Sequence, residues 1–170
     1  FIADSFSCRN GKGTHKAINR FRRLASRASK NHTITCWVLK CDIRKFFASV
    51  NHEILLSILR RHIPDQDIIW LLRNIIASFY TESSLGVGLP LGNLTSQLFA
   101  NIYMNCFDQW VKHKLKAKYY IRYADDFVFL SHDRAWLSRL VPRVRDFLTS
   151  QLNLTLHPNK IFLETLSSGV

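Results

Sequence analysis

Three aspartates carry the chemistry this sequence could perform: Asp42 and the adjacent pair Asp125-Asp126. Each lies at the margin of a β-forming run. Residues 33–42 include Ile34, Trp37 and Val38 and read as a buried strand ending at Asp42, while residues 119–123 and 127–131 read as two short strands of a hairpin around Ala124-Asp125-Asp126. If the first strand lies beside that hairpin, three carboxylates meet at one edge of a sheet. Carboxylates packed together repel one another unless cations stand between them. Nearby Lys or Arg would serve. So would Mg²⁺, which takes carboxylate oxygens and keeps its other positions for water and phosphate. Two such ions about 3.5–4 Å apart activate an attacking hydroxyl and stabilise a departing pyrophosphate in line. The plain alternative makes Asp42 a turn cap and Asp125-Asp126 a solvated hairpin tip. Against it stands the setting, since hydrophobic strands have little reason to meet at paired charge.

The elements that must position these acids follow from periodicity. A polar stretch over residues 1–13 ends in Gly11-Lys12-Gly13, and a helix is expected from Thr14 because Ala17, Ile18, Phe21, Leu24, Ala25 and Ala28 recur at helical spacing. Asn51 is placed to cap a helix carrying Ile54, Leu55, Ile58 and Leu59, which Pro64 ends. Asp65 or Asp67 starts another, with Leu71, Leu72, Ile75, Ile76 and Phe79 on its apolar side. Residues 82–93 hold Gly86, Gly88, Pro90 and Gly92 and read as a loop, followed by a long helix over about residues 95–116 with Leu98, Phe99, Ile102, Phe107, Trp110 and Val111 inward. A later helix contains Pro142, which is expected to kink or split it, and a last strand lies near residues 161–163. The order is β-α-β-β-α-β, an α+β, ferredoxin-like sheet with helices on one face and the other face free for a ligand.

Composition narrows the partners. Lys and Arg number 24 against 12 acids, a formal net charge of +12, so the chain is drawn to polyanions. The basic residues run in clusters (Arg20, Arg22 and Arg23; Arg60 and Arg61; Lys112, Lys114, Lys116 and Lys118), which favours nucleic acid over an anionic membrane surface. Cys8, Cys36, Cys41 and Cys106 form no C-x-x-C pair and the histidines no H-x-x-x-H, which argues against zinc. Free thiols suit a reducing, cytoplasmic setting. No apolar run approaches the roughly 20 residues a bilayer span needs.

Four segments, in order, carry a resemblance. Tyr123-Ala124-Asp125-Asp126 matches the Y-x-D-D box of reverse transcriptases, and Asp42-Ile43-Arg44-Lys45-Phe46-Phe47 resembles their first catalytic motif. The run from Gly88 to Gln97 (Gly-Leu-Pro-Leu-Gly-Asn-Leu-Thr-Ser-Gln) resembles their template-and-nucleotide loop, and Phe6-Ser7-Cys8-Arg9-Asn10-Gly11-Lys12-Gly13-Thr14 the fingers motif of group II intron-like members. The resemblance implies a polymerase palm with part of the fingers, RNA-templated DNA synthesis, and two Mg²⁺ ions with Mn²⁺ as a substitute. Asp42 and Asp125 would be the main metal ligands, Asp126 a supporting one, and the Ile43 backbone a further contact. The backbone at Lys45 and Phe46 would touch the triphosphate, and Phe47 would be the steric gate that leaves no room for a 2′-OH, although at least one of Phe46 and Phe47 is expected in the core. Arg9 and Lys12 would grip the triphosphate, the other reading being a solvated basic loop. Lys160, in His157-Pro158-Asn159-Lys160, matches the lysine of the fourth palm motif and would protonate the leaving pyrophosphate, the other reading being an exposed lysine near a turn.

The loop departs from the commonest pattern at Leu91-Gly92, where most relatives have Gln-Gly, and at Ser96-Gln97, where most have Ser-Pro. That ending resembles the enzymes of diversity-generating retroelements, which copy a template RNA with frequent errors at adenine. The implied partners are an RNA template, a DNA or RNA primer and dNTPs, with room for an accessory protein and no membrane. Residues 1–32 would be partial fingers and 33–170 the palm, with a finger-like helical insertion over about 51–94. No thumb is expected, and a chain that begins at Phe1 and stops at Ser168-Gly169-Val170 reads as a fragment. The competing function is an inactive nucleic-acid-binding or maturase-like module.

Overall fold

The structure, a computed structural model, describes residues 1–79 and 85–168. Four strands form the sheet: β1 (Trp37–Ile43), β2 (Tyr120–Tyr123), β3 (Asp126–Ser131) and β4 (Leu156–Thr165). Their spatial order is β2-β3-β1-β4 with every neighbouring pair antiparallel, the arrangement expected of a β-α-β-β-α-β chain. Successive side chains alternate between faces, so the register decides what meets. Leu39, Cys41 and Ile43 of β1 share one face with Phe127, Phe129 and Tyr120, and this face is buried against two helices, α5 (Leu94–His113) and α6 (Arg134–Leu152). Lys40, Asp42, Tyr123 and Asp126 fall on the other face.

That second face is not wholly free. Helix α1 (Thr14–Ala28) lies along its β2–β3 half, where Ala17, Leu24, Ala25 and Ala28 close a small core over Val38, Ile121 and Leu130. The sequence pattern showed α1 to be amphipathic without naming the surface it covers. The β1–β4 half stays open, and a cleft of about 610 Å³ runs between α1 and the sheet, lined by Thr14, Phe21, Lys40, Tyr123, Asp126 and Val128 among others.

The connection after β1 is a short helix α2 (Phe46–Ser49), then α3 (His52–Arg60) and α4 (Gln66–Ala77). The Asn51 side chain accepts from the Ile54 N–H, and Asp65 accepts from the N–H groups of Asp67 and Ile68, so both caps form where the sequence calls for them. Other expectations are corrected. Strand β1 starts at Trp37 rather than residue 33, because Lys30, Asn31 and His32 all take positive φ in a turn stapled by Ser29. Helix α4 turns in only part of its expected side: Ile76 is buried and Leu72 packs against the core as expected, while Leu71 and Ile75 are exposed and Ile69 is buried in their place. Leu98 also faces outward. Helix α6 runs through Pro142 unsplit, held by buried Leu137, Leu140, Val144 and Leu148. Strand β4 extends well beyond residues 161–163. The first part of the loop expected at 82–93, Glu82 to Ser84, lies outside the described residues, as do the last two residues of the chain. No helix among the described residues is long and apolar enough to cross a membrane.

Candidate active site

Strand pairing brings the three acids together. Cys41 pairs with Phe127, so the next step of the antiparallel register sets Asp42 of β1 across from Asp126 of β3. Tyr123 pairs with Asp126 and closes a two-residue turn of Ala124 and Asp125. The carboxylates feel one another. Burial pushes the Asp125 carboxyl above the ordinary value; the charges of Asp42 and Asp126 push the same way, while its own backbone N–H and Lys160 oppose them. Asp126 is raised by burial and by Asp42, against Lys40 and Lys160. Two acids with raised pKa values on an open sheet face are an unfinished electrostatic arrangement, of the kind that collects at functional sites.

Asp42 has a cation. Lys160 Nζ donates to Asp42 Oδ2 at 3.0 Å. The approach is made by an irregularity: Cys41 pairs with Ile161 but Ile43 with Leu156, so residues 157–160 all bulge opposite the single residue Asp42. Pro158 sits inside this bulge, where no ladder bond is asked of it. Lys160 therefore stands on a strand, in contact with the site.

The donor set fits a hard divalent cation. Every side-chain ligand candidate is a carboxylate, and among the described residues neither Asp125 nor Asp126 is in a salt bridge. No three His, Cys, Asp or Glu side chains among those residues could hold a metal unaided. Mg²⁺ does not require that, because it is commonly held by one or two carboxylates together with substrate phosphate and water.

The other predicted residues fall into three groups. Ile43 is buried, so only its backbone is available at the site. Lys45 takes positive φ (46°) and turns the chain into α2, whose first residue Phe46 is 2% exposed and belongs to the core; Phe47 is half-buried, with its ring edge-on to Phe46. The loop before α5 is laced to this segment. The Leu89 N–H donates to the Phe47 carbonyl at 2.7 Å, the Gly88 N–H to the Val50 carbonyl at 2.8 Å, and His52 Nε2 to the Gly88 carbonyl at 2.7 Å. Leu91 and Gly92 are exposed beyond these bonds and Gln97 is half-buried on the first turns of α5. Arg9 and Lys12 are turned away into their own loop: Arg9 Nη1 donates to Ile2 O, Ser5 O and Ser5 Oγ, and Lys12 Nζ to Ala3 O.

Sequence reasoning passed over Arg122, Asp108, Lys40 and His52. Arg122 is 1% exposed and binds Asp108 through two bonds, and its Nη1 donates to the Ala124 carbonyl at 2.7 Å. Its signal was a lone cation in the apolar strand Tyr120-Ile121-Arg122-Tyr123, matched by a lone acid in the apolar stretch of α5. Ala124 itself has φ 54°, a conformation that strains a residue with a Cβ by about 1–3 kcal/mol unless its surroundings impose it.

A family profile described as "Reverse transcriptase (RNA-dependent DNA polymerase)" matches residues 1–167. Protein YkfC of Escherichia coli (strain K12) is 24% identical over 201 residues, covering 97% of this chain and 52% of that protein. An uncharacterized 91 kDa protein in the cob intron of Schizosaccharomyces pombe is 29% identical over 123 residues, covering 70% of this chain and 14% of that protein. Among solved structures, apo telomerase from Candida tropicalis, truncated from its C-terminal domain, superposes with a TM-score of 0.71 at 13% identity, over 98% of this chain and 37% of that one. This last likeness is one of fold. The chain spans about half the length of the E. coli relative and about a third of the telomerase chain.

Proposed function

This chain belongs to the reverse transcriptase family, and from that premise we propose that it carries the palm of an enzyme that copies RNA into DNA, with Asp42, Asp125 and Asp126 as its catalytic acids. The observation that supports the reading is the strand register, which sets Asp42 across from Asp126 and beside the turn that carries Asp125, where burial and the charge of Asp42 raise both neighbouring carboxyls. Asp42 and Asp125, with Asp126 in support and the Ile43 backbone beside them, would hold Mg²⁺ or Mn²⁺. The bound ions would acidify the attacking 3′-hydroxyl and neutralise charge on the triphosphate.

The rest is done by the chain itself. The backbone at Lys45 and Phe46 meets the triphosphate, and the Phe47 ring lies under the sugar and excludes a 2′-OH. Lys160, freed from Asp42, gives its proton to the leaving pyrophosphate oxygen. Leu91, Gly92 and Gln97 border the incoming base and its template partner. Arg9 and Lys12 reach the triphosphate only by leaving their present carbonyl partners. Residues 1–32 are partial fingers, 33–170 the palm with the helical insertion at about 51–94, and a thumb from elsewhere in a longer protein completes the grip on primer and template. The basic surface holds the nucleic-acid backbone.

The similarity to a protein in an intron supports a mobile-element origin. The Leu91-Gly92 and Ser96-Gln97 sequence supports the diversity-generating type, for which Leu91→Gln should lower misincorporation at template adenine. The deciding experiment is Mg²⁺-dependent dNTP incorporation on primed RNA by the full-length parent, wild type against Asp125→Ala. Loss of incorporation in the variant is expected. Equal behaviour of the two would leave a nucleic-acid-binding module in its place.

A further inference from the structure

Arg122 is the point where three parts of the molecule are tied together. Its guanidinium, 1% exposed, donates through Nε to Asp108 Oδ1 at 2.9 Å and through Nη2 to Asp108 Oδ2 at 2.7 Å. Asp108 lies on α5 and also accepts from the Tyr120 hydroxyl at 2.7 Å. Nη1 of the same guanidinium donates to the Ala124 carbonyl at 2.7 Å. The Arg122 backbone holds the N-terminal loop, its N–H donating to Asp4 O at 2.9 Å and its carbonyl accepting from the Phe6 N–H at 3.0 Å.

The side chain points to the helix-backed face, opposite to the acids, so it cannot touch substrate. Yet its third bond falls on the residue that aims them. Ala124 is the first residue of the turn before Asp125 and Asp126, and its φ of 54° is one that alanine leaves when nothing holds it. Holding a carboxylate by two bonds and a carbonyl by a third requires a planar fork, which arginine has and lysine lacks. A buried ion pair contributes little net stability compared with an apolar pair of like volume. Stability alone does not account for this one.

We propose that Arg122, anchored by Asp108, is a positioning residue: it enforces the left-handed turn at Ala124 and thereby sets Asp125 and Asp126 against Asp42. The inference rests on the proposed polymerase function for its kinetic consequence, but not for its structural one.

The test uses Arg122→Lys in the full-length parent, and the same substitution combined with Ala124→Gly, since glycine takes positive φ without enforcement. Arg122→Lys should lose hydrogen-exchange protection at residues 124–127 and lower kcat by about 100-fold, with KM for dNTP and affinity for primer–template little changed. Ala124→Gly on that background should restore both the protection and about tenfold of the rate. Should Arg122→Lys not fold, Asp108→Asn is read by the same measures. Unchanged protection in the folded variant, a rate loss no greater than the loss of folded protein, or no recovery with glycine would overturn the assignment. If wild type and Asp125→Ala incorporate nucleotide equally, the polymerase reading fails, and the exchange measurement still decides the role of Arg122.

Discussion

Lys160 Nζ and Asp42 Oδ2 face each other at 3.0 Å where β4 bulges against β1 between Cys41 and Ile43. The lysine side chain is 53% exposed and its partner 14%, so the pair is a surface contact that contributes little to folding and is free to part. Its bond to Asp42 raises the ammonium above the ordinary lysine value. For a raised base the contribution is complete below the unfolded pKa and is lost as pH rises through the folded one. On the lysine's side the pairing therefore holds through neutral pH and is lost in alkali.

Lys160→Ala should leave the protein folded and lower kcat for incorporation by about 100-fold, the range for loss of a general acid. The measurement is single-turnover incorporation beside a thermal melt. A melt that collapses, or a rate that does not move, would make the lysine a structural partner of Asp42 and nothing more.

Asp125→Asn should abolish incorporation and raise the thermal midpoint. The Asp125 carboxyl is held above its ordinary value of 3.8 by burial first and then by the charges of Asp42 and Asp126. Between that value and the raised one the folded state binds more protons than the unfolded state, so wild-type stability falls as pH rises through this window. The variant lacks the fall. At pH 7 its midpoint should stand about 1–2 °C above wild type, a small gain because the site is solvent-screened. The two melts should converge in acid, where both carry no charge at 125. Added Mg²⁺ should raise the wild-type midpoint more than that of the variant.

Strand order was readable because β1, β2 and β3 are short, largely apolar runs with one or two charges each, and side-chain alternation leaves few registers for burying Leu39, Phe127 and Phe129 together. The same logic brought Asp42 to the hairpin. What could not be read came from contacts distant in sequence. Nothing in the Thr14–Ala28 periodicity says that α1 lies on the ligand face, and nothing in the region of Pro158 says that it bulges to deliver Lys160. Arg9 and Lys12 look like free cations in one dimension; their carbonyl partners at Ile2, Ser5 and Ala3 exist only once the loop closes. Leu71 and Ile75 fit an apolar stripe as well as Ile69 and Ile76 do, and only the position of α3 chooses between them.

Phe46 and Phe47 should respond to truncation in opposite ways. Phe46 is 2% exposed among core residues, so Phe46→Ala should cost about 3–5 kcal/mol of stability by chemical denaturation. Phe47 is half-buried, and the bond that fixes the neighbouring loop goes to its carbonyl rather than its ring. Phe47→Ala should therefore fold, keep the loop, and raise rNTP use relative to dNTP by about tenfold or more, a loss of about 1.4 kcal/mol in discrimination. Unchanged sugar selection in a folded variant would remove Phe47 from the proposed site.

Gly88 takes φ +107°, and a Cβ built there lies 2.9 Å from Phe79 Cε1. The backbone cannot move off to make room, because the Gly88 N–H is bonded to Val50 and its carbonyl to His52. Gly88→Ala should therefore cost about 1–3 kcal/mol from φ alone, with the ring contact added. Gly92 is the control: its φ is +88° but nothing lies within 4 Å of its Cβ position, so Gly92→Ala bears only the backbone strain. Because the bonds at Gly88 lace the loop to the segment after Asp42, its strain should appear as faster hydrogen exchange at Gly88 and Leu89 and a raised KM for dNTP. Phe79→Leu removes the atom in the way, and adding it to Gly88→Ala should recover the part of the loss that exceeds the Gly92→Ala effect. A double variant no better than Gly88→Ala would mean that φ, not Phe79, makes glycine necessary there.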